Sequence, residues 1–279
     1  MKKISVFISI FLAMIFTTSA QNLAVNTANK SGASKTAAKK TMTWTTKSEA
    51  AKTLASEASS HLMNVERELA YHKFLSALKL DPDFTVALTF LANLSRGESR
   101  KAWAAKAVKS AANKTEGEKL FASITNASNT PEINRGIWAK LHEMFPDGAM
   151  IGHYYVVTRE TPEERFAEAE KYIKQFPTNA AMHNTIAYYY LQDKKDNVNA
   201  KKHFDKYLQL YPEGANPYDS MAEYYLLSGD KENAKKYYML AVEKYPFNAS
   251  SVNALDKMAE EKAEADKKMG EVKPADKVQ

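Results

Sequence analysis

Four prolines, Pro146, Pro177, Pro212 and Pro246, stand 31, 35 and 34 residues apart, and each closes a segment with similar internal order. Asn216 to Asn248 (NPYDSMAEYYLLSGDKENAKKYYMLAVEKYPFN) shows that order most fully. It reads as a helix, a tight turn at Ser228-Gly229-Asp230, a second helix, and a stop at Pro246, where the helix cannot continue. The first helix carries Tyr218-x2-Met221-Ala222-x2-Tyr225, and the second Ala234-x3-Tyr238-x2-Ala241. The alanines matter because two helices approach closely only where a side chain is nearly absent. One such hairpin cannot bury its apolar face alone, so recurrence demands a stack.

The order recurs upstream. Leu54, Ala58 and His61 share one helix, and Ala70-x3-Phe74-x2-Ala77 a second, ending at Asp81-Pro82. Leu88-x2-Leu91-Ala92 follows with Ala104-x3-Val108-x2-Ala111, which gives Val108 the packing position of Phe74. A third unit has Phe121-Ala122, a loop at Asn126–Asn129, and a helix opened by Pro131 that carries Trp138 and Leu141. The fourth has Ile151-Gly152-x2-Tyr155, a turn near Arg159–Pro162, then Phe166, Ala169 and Tyr172. The fifth has His183-x2-Ile186-Ala187-x2-Tyr190 and Ala200-x3-Phe204-x2-Tyr207, with one extra residue placed between its helices at Asp193–Asn199. A last helix over 250–269 offers Val252, Leu255, Met258 and Ala259 to the preceding unit, and its charged end to water.

From roughly Lys52 to Met269 the chain resembles the tetratricopeptide repeat, whose period is about 34 residues. The resemblance implies an all-α fold: a right-handed α-solenoid of about six helix hairpins plus a C-terminal capping helix, spanning residues 47–269. It also implies a role in binding a protein or peptide, because the first helices of such hairpins line a concave groove. Carried over residue by residue, the groove positions are Ala55 and Ser59, Thr89 and Asn93, Ala149 and His153, Asn184 and Tyr188, and Asp219 and Glu223. The candidate partner-binding residues among them are Asn93, His153, Asn184, Tyr188, Asp219 and Glu223. Members that clamp a carboxylate use Lys, Asn and Arg here. With two asparagines and no cation, a neutral or basic peptide segment is expected instead.

The 15 tyrosines call for the same weighing. At least one ring of each cluster (Tyr154-Tyr155, Tyr188 to Tyr190, Tyr224-Tyr225, Tyr237-Tyr238) holds a packing position. Adjacent helical residues point about 100° apart, so a second ring faces elsewhere. Tyr188 is the candidate for an exposed one.

Chemistry is harder to find. The chain has no cysteine, which removes disulfides, thiolate metal sites and a cysteine nucleophile. None of the six histidines has the spacing that puts two metal ligands on one helical face, and no Gly-x-Ser-x-Gly motif occurs. A non-catalytic protein without cofactor or metal is the expectation. The positive excess lies in residues 1–48, which hold seven lysines and no acid, whereas residues 49–255 hold 26 basic and 26 acidic side chains. The body therefore offers no net basic surface for nucleic acid.

Residues 1–20, MKKISVFISIFLAMIFTTSA, read as a signal peptide cleaved after Ala20, so the mature chain is expected in the periplasm or secreted. Residues 21–46, rich in Ala, Thr and Lys, read as a disordered linker, with Trp44 packing on the first helix. Thr46-Lys47-Ser48-Glu49 has capping-box spacing, and 270–279 should fray. A carbohydrate- or nutrient-binding envelope component is the alternative function.

Overall fold

In the computed structural model residues 38–271 are described, and among them there are thirteen α-helices and no strand. They pair into six hairpins: α1 (Glu49–Met63) with α2 (Arg67–Leu80), α3 (Thr85–Leu94) with α4 (Gly97–Ala111), and α5 (Glu116–Ser123) with α6 (Pro131–Met144). Then come α7 (Ala149–Val157) with α8 (Pro162–Gln175), α9 (Ala180–Tyr188) with α10 (Asn197–Leu210), and α11 (Asn216–Leu227) with α12 (Lys231–Lys244). The last helix, α13 (Ala249–Glu271), packs Leu255 and Met258 on Tyr238 and Ala234 of the sixth hairpin. This is an all-α solenoid. The signal-peptide expectation, most of the linker and residues 272–279 lie outside the described residues.

Local chemistry starts the helices where the sequence suggests. Thr161 and Glu164 form a reciprocal capping box at α8, as Thr115 and Glu118 do at α5. Pro131 opens α6 behind a Thr130 cap, and Asp196 and Asp230 cap α10 and α12. At α1 the expectation needs correcting. The cap is Ser48, which accepts from the Ala51 N–H at 3.2 Å, while Thr46 donates its hydroxyl to Asp81 at 2.7 Å.

The small-residue positions do what close packing requires: Ala58, Ala92, Ala187, Ala222, Ala234 and Ala241 are all buried. Val108 does not follow the rule. Counted from the caps at Glu66, Asp196 and Arg96, the buried Phe74 and Phe204 correspond to Ala104 and not to Val108, which is 54% exposed. The cause is register: α4 buries Ala107 and Ala111 against the preceding helix, and Val108, one residue after Ala107, points about 100° away from that face.

The extra residue of the fifth unit is also placed differently. It is absorbed within the end of the first helix as one π-helical turn, Tyr189–Asp193. Elsewhere the capping residue's N–H reaches five residues back (Asp230 to Tyr225 O, 2.9 Å), whereas Asp196 reaches six back to Tyr190 O at 2.8 Å.

Inner helices α3, α5 and α7 have only ten, eight and nine residues. Their brevity draws the first four hairpins into one continuous core. Phe74 stacks on Phe90 (4.9 Å between centroids), which meets Phe121 (5.3 Å) and Tyr154 (5.9 Å). Trp138 in turn stacks on Tyr154 at 4.7 Å. The contact of Phe90 with Tyr154 joins the inner helices of hairpins two and four directly.

The end of the expected linker belongs to this core too. Met42 is buried, Lys40 N–H donates to Asp147 at 2.8 Å, and Thr45 is held by Glu118. Trp44 lies against Phe84, 6.4 Å away at the start of α3, in addition to facing α1. Residues 39–46 are thus a packed strap, because Met42 and Trp44 supply apolar surface that the preceding stretch lacks.

Candidate functional site: the concave face

The six candidate residues fall into two groups. Asn93 and His153 sit in the N-terminal half, where the inner helices meet. His153 is buried and its Nδ1 has no hydrogen-bond partner; burial pushes its pKa down to about 4. Asn93 is half-buried at the end of α3, with the Arg100 guanidinium at 3.5 Å. Ala55, Ser59 and Thr89 are buried as well. These positions are interior, not solvent-facing, because the short inner helices bring them against one another.

The second group comes together on α9 and α11. Tyr188 is not the exposed ring expected from sequence. Its phenol donates to Glu223 at 2.5 Å and its ring meets Phe204 edge-on at 5.1 Å, so burial and the Glu223 carboxylate raise its pKa. Asp219 accepts from the Ser251 hydroxyl of α13 at 2.5 Å, and burial raises its carboxyl pKa. Asn184, one turn before Tyr188, has its Oδ1 buried without a partner. Beside it, His183 and His203 face each other with Nδ1 atoms 3.1 Å apart. One imidazole can donate to the other unless both are protonated, and burial keeps His183 down to about 4.

What closes this face is the turn between α1 and α2. Glu66, nearly buried, accepts from the Tyr211 phenol at 2.6 Å and from the Ala215 N–H at 3.1 Å, and lies 2.7 Å from His61 Nδ1. The first hairpin is thereby tied to the junction of the fifth and sixth. Gly214 makes the tie possible, because a Cβ there would fall 2.1 Å from the Tyr211 ring. Val65, just before Glu66, has φ +68°, costly for a β-branched residue. Gly229 meets the same demand in hairpin six with φ +85°.

A cleft of about 320 Å³ remains beside this tie. Glu66, Glu68 and Asp219 outnumber Arg67 among its charged lining residues, and Tyr245 and Phe247 supply its aromatic lip. Phe247 is 79% exposed, with its ring edge-on to Tyr245 at 5.9 Å. The sequence reading missed Glu66, Tyr211, Tyr245 and Phe247. The signal available was Phe247 itself, a large apolar residue placed after a closing proline, outside every packing position.

Neither a protein-family profile nor a curated protein matches the chain. Solved structures do. A monomeric IFIT1 mutant superposes with TM-score 0.54 at 14% identity, over 78% of this chain and 56% of its own. The fold is of the tetratricopeptide-repeat type. Two other structures match over 75% of the chain: PilW, a type IV pilus biogenesis factor (13% identity, TM-score 0.45, 99% of its length), and a thermophilic TPR protein of Thermus thermophilus (18%, 0.36, 98%). The chain spans little more than half of IFIT1 but nearly the whole of the latter two. Among the described residues no group of three or more His, Asp or Glu is placed to hold a metal ion, and no helix is long and apolar enough to cross a membrane.

Proposed function

We propose that this protein is a non-catalytic interaction scaffold of the bacterial envelope, exported through its first twenty residues, that binds a partner protein or peptide on its concave face. The observation that carries this reading is the closed but polar interior of the solenoid. Ser59, His153 and Asn184 of this face have buried polar atoms without protein partners, as Asn64, Ser95 and His142 do elsewhere. Each such group costs about 1–3 kcal/mol, which a purely structural core would avoid. A face that opens to a ligand's backbone groups accounts for them, and one loop contact, at Glu66, holds it shut. The cleft beside that contact is acidic and aromatic, which suits a basic or neutral segment.

The test is site-specific photo-crosslinking in cells, with the crosslinker at Phe247 and, as control, at the solvent-facing Lys267. A discrete adduct from Phe247 alone, in the envelope fraction, is the expected result. Equal or absent crosslinking at the two positions rejects the concave face. Amino-terminal sequencing of the same material should begin at Gln21; a start at Met1 would reject export with cleavage. The aromatic lip beside Asp219, Asn216 and Asn248 favours a second reading, a carbohydrate ligand. A glycan array distinguishes it.

A further inference from the structure

The uncovered part of α4 forms a second surface, sharing no residue with the concave cleft. Residues 97–109 present a face spaced at helical intervals, with Ala104, Ala105 and the exposed Val108 as its floor. The opposite wall is the end of α5 and the following loop, Ser123 to Ala127. Together they enclose a groove of about 850 Å³, open along its length. Ala104, at the position where Phe74 and Phe204 stand in their helices, leaves the floor shallow, and Val108 lies exposed one turn further on.

The charge around the groove selects what fits there. Arg96 to Lys114 contains six basic residues and one acidic residue, in a body that is otherwise acidic enough to bring the total for 49–255 to zero. The one acid, Glu98, is already bound by Lys101 at 2.7 Å. Lys101 and Arg100, whose guanidinium also donates to the Ala92 carbonyl at 3.2 Å, lie towards one end and Lys109 towards the other. An apolar floor a few side chains wide, flanked by cations, complements an amphipathic helix with small or aliphatic residues on one face and carboxylates beside them. It is the opposite of what the acidic cleft takes.

We infer that the α4 groove is a docking site for an acidic amphipathic helix of a partner protein. It seats that helix between the exposed Val108 and the loop that follows α5. The two are separable, since the acidic cleft and the α4 groove share no lining residue.

The test is fluorescence anisotropy with the full chain and a labelled acidic amphipathic peptide of about 15 residues, roughly four helical turns. A scrambled peptide of the same composition is the control. Saturable binding is expected for the first, with the scrambled peptide at least roughly tenfold weaker. Lys101→Glu with Lys109→Glu, and separately Ala105→Trp, should each weaken binding by about tenfold or more. All three positions are exposed, so circular dichroism and the melting temperature should match the parent. Absence of binding, equal affinity for the scrambled peptide, or indifference to both variants overturns the inference. So does displacement of the peptide by single-stranded DNA or anionic vesicles at lower concentration than unlabelled peptide. A Phe247 variant should leave this binding unchanged.

Discussion

The phenol of Tyr211 donates to the carboxylate of Glu66 at 2.6 Å across 145 residues of chain. A stack of hairpins held only by neighbours has no need of such a contact. Here it joins the first hairpin to the fifth, and with the Ala215 N–H it converts an open array into a closed turn. Stability should then depend on a few residues near Glu66 more than on most neighbour contacts.

Glu66→Ala should destabilise the protein by about 2–4 kcal/mol, because the Tyr211 hydroxyl and the Ala215 N–H lose a charged acceptor. Tyr211→Phe should cost about 1–2 kcal/mol. Urea denaturation of the single and double variants checks this. Because the groups touch, the double variant should fall short of additivity by about 1 kcal/mol; strict additivity would show that the contact does not form. Gly214→Ala should mimic Tyr211→Phe by displacing the ring.

Val65→Gly should raise stability by up to about 1 kcal/mol, through relief of a β-branched residue at φ +68°. The reverse change in hairpin six, Gly229→Val, should lower it by about 1–2 kcal/mol. Thermal melts of the two variants should move in opposite directions.

Acid should weaken the fold through its histidines. Burial holds His153 and His183 down to about 4, and lowers His142 and His203 as well. Their folded pKa values lie below the unfolded value of about 6.5, so this stability is complete above that pH. It is lost as the pH falls from about 6.5 towards 4, because the unfolded chain takes up protons that the fold refuses. His153 alone should account for a loss on the order of 3 kcal/mol by pH 4. Unfolding free energies at pH values of about 7.5, 5.5 and 4.5, compared with those of His153→Gln, measure it. An unchanged slope in the variant would assign the acid sensitivity elsewhere.

Ala222→Trp and Ala187→Trp should each destabilise by about 1–3 kcal/mol or more, since both alanines are fully buried between helices. Differential scanning calorimetry reads the loss, and unchanged melting would reject the helix register.

The sequence alone determined the hairpins. Alternating bulky and small residues at helical spacing, hydroxyl or carboxylate caps, and prolines near a period of about 34 are all local, and local patterns specify local pairs. Ala222, Tyr238 and Ala241 could be assigned their packing roles without coordinates for that reason. Val108 shows the limit. Its spacing to Ala104 and Ala111 matches that of Phe74, yet α4 begins at Gly97 and buries Ala107 instead, a register that the packed helices decided.

The candidate site was less legible. The groove positions lie on the first helices of their hairpins, but whether a face is open depends on curvature summed over several hairpins. Short α3, α5 and α7 brought Phe90 to Tyr154 and buried His153. The α1–α2 turn then brought Glu66 to Tyr211. No spacing rule connects residues 66 and 211, because their meeting is set by the accumulated rotation of the units between them. Tertiary structure alone decided that the concave face is closed, and which residues hold it.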